Sequence, residues 1–336
     1  MTEQSVKFHS YDEVCSRPAF DPTYEISPSN FKGLIGTYLF RDDQICQVRT
    51  DKGICRQKHK NGWLGTTKSG VEALIGCQCA QNHFNASTEF KLEKNRVLDE
   101  LARKEALAKM ENFLSDKLGM ATELVSLEQS IKAVERRMSA IYDLLPNDVL
   151  TFLYQSQRTS NWDVFVDVQY IKELQYADND EREGEEKNFK EQWIASRLGK
   201  VKPLSTELDI KSLLEKAIQL KKFYNSFSTL SAEGVADIKT PKLKNYVNRI
   251  DQKEDFKKLL CKMEKEVDEF LVKDNLELLV YVCDSGREKF LTTQAIMKLT
   301  GLKAAHNSYI DRRLKNIVAD YEKRFEGRLI RKSITN

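Results

Sequence analysis

The sequence predicts a mostly α-helical protein with a small α+β module at its front and a helical C-terminal domain. Three observations predict it. The chain is charge-rich and poor in helix breakers, with 31% charged residues and only 6 prolines in 336 residues. A heptad-like seam runs through its middle, and the segment before residue 90 is instead short, glycine-punctuated and crowded with cysteine. At this length two or three folding units are expected.

Residues 1–30 hold Pro18, Pro22 and Pro28 among Asp, Ser and Asn, which reads as an extended arm. From Phe31 the pattern changes. Tyr38, Phe40, Cys46 and Val48 share one parity, as in a strand pair, and Thr50-Asp51-Lys52-Gly53 is a turn signal. Residues 31–90 are too few to bury a large interior, and domains of this size commonly draw stability from a bound metal.

That module carries the candidate ligands: Cys46, Cys55, His59, Cys77, Cys79 and His83. A structural zinc ion takes four sulfur or nitrogen donors in a tetrahedron, so six donors in under forty residues point to Zn2+. Two C-x3-H arms, Cys55/His59 and Cys79/His83, match each other, and residues four apart share a helix face. The leading quartet is therefore Cys55, His59, Cys79 and His83, with Cys46 as first alternative and Cys77 last. The odd number of cysteines and their clustering favour a metal in a reducing compartment over disulfides. Cys261 and Cys283 lie in apolar helical contexts and read as buried thiols.

Residues 91–175 read as long helices. Leu124, Leu127, Ile131, Val134, Met138, Ile141 and Leu145 step alternately by three and four, an a/d seam of three heptads. It suits either a dimerising coiled coil or one helix of a bundle. Asn161–Ile171 has strand alternation without an obvious partner. Residues 176–206 read as an acidic linker, because eight acidic side chains face four basic ones over 172–191. In the last region, 207–336, helices are expected around Leu208–Tyr224 and through Phe256, Leu260, Met263, Val267 and Phe270. The latter is expected to pair antiparallel with the first long helix.

Leu291–Leu302 ends in a glycine turn, and Ala304–Phe325 follows as a second helix. This is the cadence of a helix-turn-helix, whose second helix enters the major groove. Met297 and Leu302 would pack, Ile310 would face inward, and Lys303, His306, Asn307 and Ser308 would meet base edges. Arg312, Arg313 and Lys315 would reach phosphates, with Arg328–Lys332 as a wing strand. Asn307 falls where that motif expects an apolar residue.

Net charge is only +3, so a nucleic-acid surface must be local. Over residues 49–68, Arg49, Lys52, Arg56, Lys58, Lys60 and Lys68 face only Asp51; residues 297–336 carry ten basic side chains against four acidic. Trp63, amid the first patch, reads as core. Phosphate-binding glycine loops, nucleophile elbows and H-E-x-x-H are all absent from the sequence. No secretory signal and no membrane-spanning apolar run appears, which suits a cytoplasmic protein. The expected function is a non-enzymatic zinc-binding accessory or regulatory protein that holds nucleic acid at its two basic ends. Two alternatives stand beside it: a structural component whose zinc module docks a partner protein, and a ββα metal nuclease using His59 or His83.

Overall fold

The computed structural model describes residues 4–51, 53–173, 189–302 and 306–333. Lys52, Lys303, Ala304 and residues 174–188 of the acidic run lie outside the described residues. Helices dominate, alongside a small N-terminal sheet, in line with the expected class. No helix among the described residues is long and apolar enough to cross a membrane. The chain divides into two compact units, Met1–Met120 with Ser226–Asp251, and Ala121–Asn225 with Gln252–Asn336.

The first unit is built on a four-stranded sheet of order β1-β2-β5-β6: β1 (Val6–Phe8), β2 (Phe31–Ile45), β5 (Lys58–Thr67) and β6 (Glu72–Gly76). Strand β1 joins β2 in parallel, and the other pairs are antiparallel. Both faces are apolar, so β6 is buried throughout instead of alternating. On one face Phe31, Trp63, Ile75 and Phe84 meet Phe90 and Val97 of helix α3 (Thr88–Ser115). On the other, Phe8, Tyr38, Phe40, Leu64 and Leu74 meet Val14 of helix α1 (Tyr11–Cys15). Trp63 is core, as read from the sequence.

Residues 4–30, expected as an extended arm, are tied down by polar contacts. Arg17 makes a two-pronged ion pair with buried Glu72, at 2.6 and 2.8 Å. Buried Gln47 donates to the carbonyls of Asp21 and Tyr24 and accepts from Leu74 N–H. Strand β2 shifts register between Leu34 and Gly36, which frees backbone groups of Leu34 from the ladder. Glu93 and Arg96 of α3 take them up: Leu34 N–H donates to Glu93, and Arg96 donates to Leu34 C=O at 2.7 Å. Buried backbone groups need such partners.

The second unit surrounds one large apolar cluster. All seven seam residues from Leu124 to Leu145 are buried, six of them in this cluster. Helix α4 (Lys117–Leu144) carries the seam, and its partners come from the same chain, as the bundle reading requires. Helix α6 (Glu207–Phe227) opens on a capping box, in which Thr206 and Asp209 exchange hydrogen bonds, and runs antiparallel to α4. That direction is fixed by Lys221–Glu128 at one end and Ser139–Glu207 at the other. Helix α8 (Thr240–Phe270) carries the Phe256–Phe270 face, but it is parallel to α4. Lys253 meets Glu123, and Asp268 meets Arg137, each at 2.5 Å. The antiparallel expectation fails because α6 intervenes and reverses the chain.

The strand at Asn161–Ile171 does have partners. It is β7 (Asp163–Glu173), central in a sheet of order β8-β7-β9, between β8 (Phe189–Lys200) and β9 (Ile330–Lys332). Val164, Val166 and Val168 face the core. Strand β8 lies in what the sequence presented as linker, because the nearby acidic residues outweighed its alternation. Of the two thiols expected to be buried, Cys283 is and Cys261 is exposed, on the solvent side of α8.

Candidate metal centre

Three local decisions bring three thiols together. Strand β2 ends at Ile45, and the chain turns through β3 (Arg49–Thr50) and β4 (Gly53–Ile54), a hairpin at the predicted turn. Across this hairpin Cys46 N–H donates to Gln57 C=O at 2.9 Å, and Cys55 N–H donates to Val48 C=O at 2.8 Å. Between Cys55 and Gln57, Arg56 takes a left-handed φ of 52°, an uncommon conformation for a side-chain-bearing residue. Cys79 arrives separately, from the first turn of helix α2 (Cys77–His83), which begins where β6 ends.

The sulfur atoms of Cys46, Cys55 and Cys79 all lie within 4.8 Å of one another, and those of Cys55 and Cys79 are 3.2 Å apart. Three sulfurs about 2.3 Å from one zinc ion in a tetrahedron would sit about 3.8 Å apart, inside this range. All three thiols are free. Burial pushes the Cys46 thiol up, against hydrogen bonds from the backbone N–H groups of Gly76 and Val48. Burial raises Cys79 too, and its crowding against Cys55 and Cys46 adds to the effect. A bound cation would replace those protons and turn mutual crowding into shared coordination. The donor set therefore fits a thiophilic metal.

The other candidates stand apart from this group. His59 is half-buried, its Nδ1 lies 2.9 Å from the Tyr38 hydroxyl, and burial lowers its pKa. Its ring rests against Gly76, where even a Cβ would come within 2.6 Å of the imidazole. Cys77 is half-buried, its thiol raised by burial and opposed by Lys94. His83 is exposed at the last residue of α2. The structure thus gathers two members of the leading quartet, Cys55 and Cys79, with the first alternative, Cys46. Sequence reasoning missed Gln57, whose Oε1 lies 3.9 Å from the sulfurs of both Cys55 and Cys79. Its one signal in the sequence is its place two residues after Cys55.

The basic candidates divide similarly. Arg56, Lys58 and Lys60 are exposed around the hairpin, Lys68 donates to Ser29 C=O, and Arg49 pairs with Glu25. Near the C-terminus, helix α10 (Gly286–Leu299) ends where Gly301, at φ +84°, donates to Lys298 C=O and Leu302 donates to Met297 C=O. That is a Schellman turn, and glycine accepts its positive φ without strain. Helix α11 (Asn307–Arg324) follows, with His306 at its N-cap contacting Ser308. Met297 and Ile310 are buried as expected, whereas Leu302 is 47% exposed because the turn carries it outward. Asn307, Arg312 and Lys315 are exposed on α11. Arg313 instead pairs with the largely buried carboxylate of Glu277 on helix α9 (Lys273–Leu278), which draws it inward.

Comparison of the chain with protein-family models, with curated proteins and with solved structures gives no match.

Proposed function

We propose that this chain is a non-enzymatic nucleic-acid-binding protein of accessory or regulatory type, braced near its N-terminus by a structural Zn2+ ion. The observation that carries this reading is the convergence of Cys46, Cys55 and Cys79 beneath a hairpin flanked by Arg56, Lys58 and Lys60. Zinc, when bound, supplies fixed coordination, and it would tie the hairpin to α2. The exposed cations then meet a phosphate backbone without first losing backbone freedom, which lowers the entropy cost of binding.

The C-terminal elements support the same reading. Helices α10 and α11 meet at a glycine turn, and β9 follows α11 to join the three-stranded sheet. On a helix-turn-helix reading, α11 is the groove helix and offers Asn307, Arg312 and Lys315. Arg313 serves the fold, through Glu277. Partners are therefore nucleic acid first, with a docked protein as the alternative occupant of the zinc module.

Metal analysis and a salt titration test the proposal. The purified chain should carry one zinc per molecule, and its affinity for duplex or single-stranded oligonucleotides should fall steeply with salt. Lys315→Ala should weaken binding across all sequences and reduce the salt slope by about one. No binding at low salt would remove the nucleic-acid reading, and divalent-dependent cleavage would favour the nuclease.

A further inference from the structure

Three thiols leave a tetrahedral zinc site one donor short. Four groups of suitable chemistry stand close in the chain or in space: Gln57, His59, Cys77 and His83. Helix geometry separates two of them. Each helical residue turns about 100° from the last, so Cys77, two before Cys79, points about 200° away from it. His83, four after Cys79, returns to the same face.

Contacts separate the other two. His59 is committed elsewhere, with its ring held by the Tyr38 hydroxyl and packed on Gly76. Gln57 already touches Cys55 and Cys79, but a neutral amide oxygen is a hard donor, poorly matched to a thiolate-rich site. His83 has neither restraint. Its side chain is exposed and makes no hydrogen bond or ion pair among the described residues.

We infer that His83 is the fourth ligand, giving a Cys46, Cys55, Cys79, His83 site, and that its imidazole takes the place beside the thiols where Gln57 now rests. The inference depends on the metal reading above and deepens it. Two consequences follow from the chain's own residues. Both ends of α2 become fixed to the hairpin, so the helix cannot fray away from it. Tyr38 and His59 form a separate polar pair inside the sheet and bind no metal.

X-ray absorption at the zinc edge of the full chain tests this directly. The expected result is three sulfurs at about 2.3 Å and one imidazole nitrogen at about 2.0 Å. His83→Ala should lose the imidazole scattering and weaken zinc in competition with a chelating dye by about 10- to 100-fold or more. His83→Cys keeps a donor in place and should restore retention with a four-sulfur signature, which guards against a variant that fails to fold. His59→Ala and Cys77→Ser should leave the coordination unchanged. Four sulfurs in the unaltered chain, imidazole scattering that survives His83→Ala, or its loss in His59→Ala would overturn the assignment while leaving the metal reading intact. A chain that retains no zinc at all would overturn both.

Discussion

The two units solve the burial problem differently. The second packs one continuous cluster, 33 buried residues among those described, drawn from helices and from the inner valines of β7. The first places 13 buried apolar residues on one face of its sheet and 7 on the other, and buries others, such as Met110, Phe227, Leu243 and Val247, on helices away from both clusters. Neither half is large. Polar clasps supplement them: Arg17 with Glu72, Gln47 with three backbone groups, and Glu93 with Arg96 at the shifted register of β2. The thiols belong to this pattern. Cys46 and Cys79 are members of the 13-residue cluster, so the site extends a hydrophobic core and does not stand in for a missing one. Small interiors are secured at their edges, and large ones by area.

The sharpest way to break that contrast is to remove the metal. Chelation, or Cys79→Ser, should cost the first unit more than about 5 kcal/mol, because binding energy of a structural site is folding energy. Hydrogen exchange should accelerate across β5, β6 and α2 while the valines of β7 stay protected. Equal loss in both units would refute the division. Next in size is Ile131→Ala, in the buried seam of α4. A cavity there should cost about 2–5 kcal/mol by denaturant unfolding and leave zinc content unchanged. A smaller effect is expected at Gln47. Gln47→Leu strands the carbonyl of Tyr24 and the N–H of Leu74 and leaves the Asp21 carbonyl with Tyr24 N–H alone, at about 1–3 kcal/mol, and should loosen residues 17–26 before anything else.

How much of this was legible follows the same division. The seam of α4 was readable residue by residue, because a helix buried along one stripe repeats its period in the sequence. The direction of its neighbours was not, since parallel and antiparallel packing need the same apolar stripe; for α8 the chain reversal through α6 sets it, and ion pairs such as Lys253–Glu123 mark it. Strand β8 was hidden by the charges before it, and its pairing with β7 joins segments separated in the sequence, which local pattern cannot see. In the first unit, ligand types were legible and their grouping was not. Matching arms suggested Cys55 with His59, but the arm holding His59 continues as β5, whose pairing with Gln44 aims that residue at Tyr38. The helical spacing rule does not extend to a strand. It held on α2, where Cys79 and His83 do lie on a helix.

The smallest effect concerns acid. In the second unit Glu128 accepts hydrogen bonds from Lys132 and Lys221, which hold its carboxyl below the usual range. Burial pushes Glu123 up, but contacts from Lys253 and Lys257 outweigh it and leave that carboxyl lowered as well. A depressed folded value means stabilisation that is present above the unfolded value of about 4.3 and lost as pH falls through the folded one. Glu277 acts in the opposite sense. Burial outweighs Arg313 and Lys273 and raises its carboxyl, so protonating it removes a penalty. The acid limb of the second unit is therefore a difference between these carboxylates, and Glu128→Gln isolates one side of it. At neutral pH the variant should lose about 1 kcal/mol, a modest value because its lysine partners are partly solvated. Below the folded pKa of Glu128 it should match the parent, so the two stability curves should converge on acidification. Curves that stay parallel down to the acid transition would mean that α4 and α6 are held by apolar packing alone, which would widen the contrast between the units.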